Sequence, residues 1–298
     1  MKRYVSLNDY MKNTFGKKVY RLSISSGLSC PNRDGRLSRE GCVFCADGSG
    51  AFCERGDIPL QLENAKNRLK AKLKNCSDVG YVAYFQSYTN TYGETDYLRR
   101  IFFEAIGDPE VVALSIATRP DCLEDEKIAL LKELNKIKPV WIELGLQTES
   151  DKTARLINRA YPTSVYIDCA KRLKDAGIDL ITHLIIGLYG EDDGQLKRSV
   201  SLAGAWSKGV KLQLLHVLKG TPLEKMAWET LSLEEYLRRL AFCIEHLPPE
   251  VVIHRLTGDG DKKKLVSPLW SADKKMVLGA INRYFEEKDV IQGRYYEK

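Results

Sequence analysis

The stretch Cys30-Pro31-Asn32-Arg33-Asp34-Gly35, continuing through Arg36-Leu37-Ser38-Arg39-Glu40-Gly41 to Cys42-Val43-Phe44-Cys45, places three cysteines within sixteen residues, two of them in a CxxC. That spacing lets two thiolates bite one metal centre while an eleven-residue excursion brings back a third. Pro31, Asn32, Asp34 and Gly35 are turn formers, so the excursion reads as a surface loop folded around something. A disulfide would need an oxidising compartment, and Met1-Lys2-Arg3-Tyr4 leads into polar sequence with no apolar signal segment. Two metal readings remain. A structural zinc site would take Cys53 as its fourth ligand; a 4Fe-4S cluster would use Cys30, Cys42 and Cys45 alone and keep one iron open. Phe44 inside the CxxC favours the cluster, because an aromatic beside an open iron can pack on a nucleobase. The loop by itself leaves both readings open.

Outward from the loop, the chain alternates short β-branched runs with longer helical patterns. Strands are expected at 19–24, 80–86, 111–117, 140–146, 180–186 and 210–215, and helices at 57–75, 97–106, 124–137, around Val165, Cys169 and Leu173, at 196–206 and at 233–246. Six strand-then-helix units demand a parallel sheet with right-handed crossovers. The expected architecture is α/β, a partial (β/α)6 TIM-like barrel over residues 1–250 with its N-terminal lead-in. Residues 251–298 read as a small C-terminal extension packed on it: a strand, a turn at Gly258-Asp259-Gly260, a lysine run and a helix at 272–288.

Such barrels work at the C-terminal ends of their strands. The unusual residues fall there: the cysteine loop, Gln86-Ser87-Tyr88-Thr89-Asn90-Thr91, Thr118-Arg119-Pro120-Asp121, Glu143 with Gln147, His183 with Gly187-Leu188-Tyr189-Gly190-Glu191, and His216. A structural zinc loop has no reason to share a rim with this polar set, so the balance moves to the cluster. Glu143 and Gln147 interrupt an otherwise apolar strand, and burying each unpaired costs about 1–3 kcal/mol. His183 also reads as a satisfied core histidine, and Arg159 as a helix cap or ion-pair partner. His216, His246 and His254 are read as structural, and Cys169 and Cys243 as core residues.

With 298 residues, 44% apolar and 29% charged, the chain can bury a sizeable core. No run of about eighteen apolar residues exists, which excludes a membrane-spanning helix. Eight cysteines without a secretion signal imply reduced thiols and a cytoplasmic location. The net charge of +6 is uneven: residues 1–21 carry six bases against Asp9, and residues 262–298 nine bases against five acids. Barrel closure would bring Lys17, Lys18 and Lys262-Lys263-Lys264 together into a patch for a polyanion; the plainer reading is solvated surface.

The loop motif, the Phe85-Gln86…Thr89-Asn90-Thr91, Thr118-Arg119-Pro120-Asp121, Glu143-Leu144-Gly145-Leu146-Gln147 and His183-Leu184-Ile185-Ile186-Gly187-Leu188 stretches, Gly48-Ser49-Gly50 and Arg255-Leu256-Thr257-Gly258 together resemble the radical SAM superfamily, specifically its YhcC-like group. The barrel resembles that of the Elongator catalytic subunit and, more distantly, oxygen-independent coproporphyrinogen oxidase. The C-x11-C-x2-C spacing departs from the commonest C-x3-C-x2-C but suits this group. The acetyltransferase domain of Elongator-like proteins has no counterpart in the sequence, so the Elongator reaction is not expected to carry over.

The resemblance implies a 4Fe-4S cluster on Cys30, Cys42 and Cys45, with S-adenosyl-L-methionine (SAM) on the open iron. An electron from an external donor of flavodoxin or ferredoxin type would release a 5′-deoxyadenosyl radical that abstracts a substrate hydrogen. It further implies Phe44 on the adenine, Gln86, Thr89 and Asn90 near the methionine amino group, Gln147 and His183 at the ribose hydroxyls, Arg159 at the methionine carboxylate and Gly187 where backbone approaches the adenine. Relatives acting on wobble uridine point to tRNA as a substrate. The competing class is a metal-stabilised RNA-binding or scaffold protein without turnover.

Overall fold

A computed structural model describes residues 2–46, 53, 55–70, 73, 78–226, 228–258 and 260–297. Gly48-Ser49-Gly50, Cys76 and Asp259 lie outside the described residues, as does the end of the helix expected to reach Asn75. Strands β1 (Lys18–Ile24), β2 (Val79–Phe85), β3 (Val111–Thr118), β4 (Val140–Gln147), β5 (Asp179–Ile186) and β6 (Gly209–Leu214) pair in parallel in that order. The two-residue strand β7 (Val217–Leu218) follows. Strand β8 (Val252–Arg255) then joins β6 as a seventh parallel strand, and β9 (Leu265–Ser267) pairs with β7.

The helices are α1 (Leu7–Phe15), α2 (Ile58–Lys70), α3 (Thr95–Gly107), α4 (Asp125–Asn135), α5 (Asp151–Leu156), α6 (Thr163–Asp175), α7 (Asp193–Trp206), α8 (Leu233–His246) and α9 (Lys274–Glu287). The α2, α3, α4, α6, α7 and α8 crossovers bury Leu62, Phe102, Leu131, Leu173, Val200 and Leu240 in one continuous core with the sheet, and α9 adds Val277, Ile281 and Phe285 to it. The result is the partial TIM-like barrel that the strand-helix alternation predicts. Among the described residues no helix is long and apolar enough to cross a membrane.

Alternation along the strands sends every second residue into the concave interior. At the N-terminal end, Val82, Ala113, Trp141 and Ile181 form an apolar plug with Met11 of α1. Two residues further along each strand come Tyr84, Ser115, Glu143 and His183; two further still, Gln86, Ala117, Gly145 and Ile185. The interior is therefore dry below, polar in the middle and open above. The α1 plug was absent from the strand-helix reading, although Ser6 and Asp9 have the spacing of a capping box: Ser6 Oγ accepts from Asp9 N at 3.2 Å and donates to Asp9 Oδ2 at 2.8 Å.

The sheet does not close, since β1 and β8 are its two edges. A parallel bridge between Ser6 and Ile253, with Ile253 N donating to Val5 O at 2.8 Å, ties the N-terminal segment across the gap. The two basic runs do not form one surface. Lys17 and Lys18 stand where β1 begins, whereas Lys262–Lys264 follow Gly258 and Gly260, which pack on His216 beyond the end of β6. In an all-parallel sheet these are opposite rims, separated by a strand of seven residues, about 20 Å at ~3.3 Å per residue.

Candidate active site

The cysteine loop is folded against the end of the sheet by backbone and amide hydrogen bonds. Arg33 N and Asp34 N donate to Cys30 O at 2.8 and 3.1 Å, and Cys45 N closes the CxxC turn on Cys42 O at 2.9 Å. Asn32 Nδ2 donates to Asn158 O at 2.7 Å and lies 3.7 Å from Cys42 Sγ; Asn158 Nδ2 returns a bond to Gly41 O at 2.7 Å. Val43 N donates to Ile157 O at 3.0 Å and its carbonyl accepts from Leu223 N at 2.9 Å. The loop is thus held by the α5–α6 connection on one side and by the segment after β7 on the other.

A cavity of about 270 Å³ opens between this loop and the strand ends. Cys30, Cys42, Phe44 and Cys45 form one wall; Gln86, Thr89, Arg119, Gln147, His183 and Gln213 contribute from successive strands. Cys53 is elsewhere, its Sγ 2.9 Å from Ser87 Oγ, and it does not line the cavity. Among the described residues no three His, Cys, Asp or Glu side chains converge to hold a single metal ion. Burial, with the neighbouring Cys45 and Cys30, pushes the Cys42 thiol up to about 12, and Arg119 counters it. A thiol raised in this way needs a metal's charge to ionise.

Gln147 is the side chain most specifically aimed into the cavity. The β4–β5 register slips between Gly145 and Gln147, and Gln147 sits at φ 65°, a left-handed conformation costly for a residue with a Cβ. Its Oε1 is buried without a hydrogen-bond partner. A strained backbone presenting an orphaned acceptor is what a hydroxyl-bearing ligand would satisfy.

Beneath it lies a buried charge cluster. Glu143 accepts from Ser115 Oγ at 2.7 Å, from His183 Nε2 at 2.8 Å and from Lys211 Nζ; Lys211 Nζ also donates to Tyr84 Oη at 3.1 Å. Burial opposes the Glu143 charge, but Lys211 and His183 more than offset it and hold the carboxyl well below its usual range. Burial, helped by Lys211, lowers His183 to about 4; the ring is therefore neutral at pH 7, donates through Nε2 and keeps Nδ1 as an acceptor. Burial also brings Lys211 down to about 7, against the pull of Glu143. Sequence reasoning passed over Lys211 and Tyr84. The available signal was a lysine alone among apolar strand residues, the same anomaly that marks Glu143.

Two expected cofactor contacts are redirected. Asn90 is fully buried and does not line the cavity: its Nδ2 donates to Phe85 O and Ala117 O at 3.1 and 2.8 Å, and its Oδ1 accepts from Ser26 Oγ at 2.7 Å. It braces β2 and β3 against the loop after β1. Arg159 borders the cavity, but all five of its N–H donors are taken, by Tyr161 O, Leu146 O, Thr148 O, Asp151 Oδ1 and Thr163 Oγ1 at 2.6–3.3 Å. It clamps the end of β4 and has no donor left for a carboxylate. Gly187 takes φ 100°, a Cβ built on it would meet Leu231, and its carbonyl accepts from Trp228 Nε1 at 3.4 Å.

The sequence signature described as the Radical SAM superfamily matches residues 30–203, and that of the Radical_SAM C-terminal domain matches residues 207–287. The chain is similar to YtqA of Bacillus subtilis (41% identity over all of this chain and 94% of that protein) and to YhcC of Escherichia coli (35%, 93% and 90%). A weaker likeness, 26% over 59% of this chain and 34% of the relative, reaches a tRNA uridine(34) acetyltransferase of Methanocaldococcus infernus. Among solved structures, Elp3 of Methanocaldococcus infernus superposes with a TM-score of 0.70 at 19% identity, covering 92% of this chain and 64% of that one.

Proposed function

This chain belongs to the radical SAM superfamily as an enzyme of the group containing YtqA and YhcC, and on that premise we propose that it holds a 4Fe-4S cluster on Cys30, Cys42 and Cys45 and binds SAM beside it. The observation that carries this is the shared wall: the three thiols face the same cavity as the polar ends of β2 to β6, while Cys53 stays out of it. When bound, this pair supplies reductive cleavage of SAM and a radical able to take a substrate hydrogen.

The chain's own residues bind and orient. Phe44 offers its ring to the adenine, Gln147 Oε1 and His183 Nδ1 are acceptors for ribose hydroxyls, and Gln86 and Thr89 stand beside the methionine end. Arg119, its guanidinium 2.7 Å from Asp121 and over the Tyr161 ring, is the cation closest in role to the thiolates. Electrons would come from a flavodoxin- or ferredoxin-type donor. A tRNA base is the substrate class that the acetyltransferase likeness favours, and residues 251–298, whose β8 is the seventh strand of the sheet, act with the rest of the barrel as one catalytic unit.

Anaerobic reconstitution with iron and sulfide, reduction, and assay for 5′-deoxyadenosine test the reading. Formation of the nucleoside by wild type and its loss in Cys42→Ser support it. A colourless protein that binds zinc stoichiometrically and never releases 5′-deoxyadenosine would replace it with the metal-stabilised binding module.

A further inference from the structure

A second cavity, of about 380 Å³, lies in the gap between the two sheet edges. Arg21 of β1, Arg255 at the end of β8 and Lys274 at the start of α9 line it, together with Ser6 and Asn8 at the start of α1. None of the described residues that line it is acidic. The interior carboxylate Glu143 is already shared by Ser115, His183 and Lys211, and Asp9, which accepts from the lining Ser6 Oγ at 2.8 Å, is paired with Lys2 at 2.7 Å.

Arg21 is the donor on which the site turns. Its guanidinium stacks over the Tyr84 ring at 5.6 Å, and its Nη1 is buried without a hydrogen-bond partner. A buried guanidinium nitrogen left unmatched is costly, and a planar fork of donors matches an oxyanion. Arg255 and Lys274 also make contacts elsewhere; here they add positive potential, as does the N-terminal end of α1. Three cations with no acidic residue among the described lining suit a doubly charged phosphate better than a single carboxylate. Arg255 borders the main cavity as well, so the two spaces are neighbours across one side chain.

We propose that the gap between β1 and β8 is a second ligand site, which takes the phosphate group of a phosphorylated ligand on Arg21, with Arg255 linking it to the main cavity. The phosphate belongs either to a small molecule or to an RNA backbone. This site needs no cluster, so its test is separate from that of the cofactor reading.

The test is a ³¹P NMR titration of the full chain with inorganic phosphate at constant ionic strength, comparing wild type with Arg21→Gln, Arg21→Lys, Asn8→Glu and the exposed control Lys275→Gln. Saturable binding is expected in wild type and Lys275→Gln. At least a tenfold weakening is expected in Arg21→Gln and Asn8→Glu, with partial recovery in Arg21→Lys. Asn8 is solvent-exposed, so Asn8→Glu probes the cavity even if Arg21→Gln unfolds. Equal affinity in wild type and Asn8→Glu, or equal weakening in Lys275→Gln, overturns the proposal. A parallel titration with tRNA separates the sources: tRNA affinity that falls tenfold with Arg21→Gln and is competed by phosphate assigns the group to RNA, whereas tRNA affinity that is unchanged assigns it to a small molecule.

Discussion

Glu143 on β4 and Lys211 on β6 form an ion pair inside the sheet with both side chains about 1% exposed, reaching across β5 under the floor of the candidate active site. Removing one partner leaves a charge buried alone, the costly half of such pairs. Lys211→Met is therefore expected to destabilise the fold by about 3–5 kcal/mol, and the double variant Glu143→Gln/Lys211→Met by less than the sum of the single changes. Urea unfolding of the four proteins gives the coupling; additive losses would mean that the pair does not act as a unit.

Ser substitution at Cys30, Cys42 or Cys45 is expected to abolish iron retention after anaerobic reconstitution, while Cys53→Ser keeps it. Iron and sulfide analysis with the visible spectrum reads the outcome. Loss of metal in Cys53→Ser would bring the four-thiolate zinc site back.

Gln147→Ala should weaken SAM binding about tenfold, the equivalent of ~1.4 kcal/mol, with iron content and folding unchanged. Isothermal titration of the reconstituted protein with SAM checks this. Unchanged affinity would show that the orphaned Oε1 serves something other than the cofactor.

Arg159→Lys tests the clamp. A lysine cannot reproduce five directed donors, so a stability loss of about 3 kcal/mol is expected, read as a fall in the unfolding midpoint. A fully stable variant with a selective loss of SAM affinity would restore the carboxylate-binding role.

The neutral His183 sets an acid limit. Its folded value of about 4 lies below the 6.5 of an unfolded histidine, so between these pH values the unfolded chain binds more protons and stability rises with pH. His254, brought by burial to about 3, acts in the same direction. Thermal unfolding should accordingly shift downward as pH falls from 6.5 to 4, and less steeply in His183→Gln. Equal slopes in the two proteins would indicate that His183 is charged in the folded state.

Much of the architecture was legible because the chain obeys local rules. The apolar runs of β1 to β6 carry strand periodicity and the segments between them helical periodicity, and parallel pairing follows from the alternation. The site was legible only by address. Residues at strand ends could be assigned to a rim, but whether a polar group there faces the cavity or is consumed by backbone depends on bends the sequence does not announce. Gln147 is turned inward by a register slip, whereas Asn90 after β2 and Arg159 in the α5–α6 connection, equally polar, spend their donors within the protein, largely on carbonyls. Lys211 escaped because its partner is 68 residues away. The basic runs were misjudged for a related reason: charge can be counted along a chain, but the rim on which it falls is fixed by strand direction.

The strap that ties Val5 to Ile253 and Gln292 also orders the folding of the chain. Val5 N donates to Gln292 Oε1 at 2.9 Å and Ile253 N donates to Val5 O, so this segment leaves the ribosome well before the partners that hold it. Such a contact, 287 residues apart in sequence, is closed late, and until then α1 is held by the plug alone. A nascent chain arrested before residue 250 should carry a protease-sensitive N-terminal segment that becomes resistant only when β8 is released.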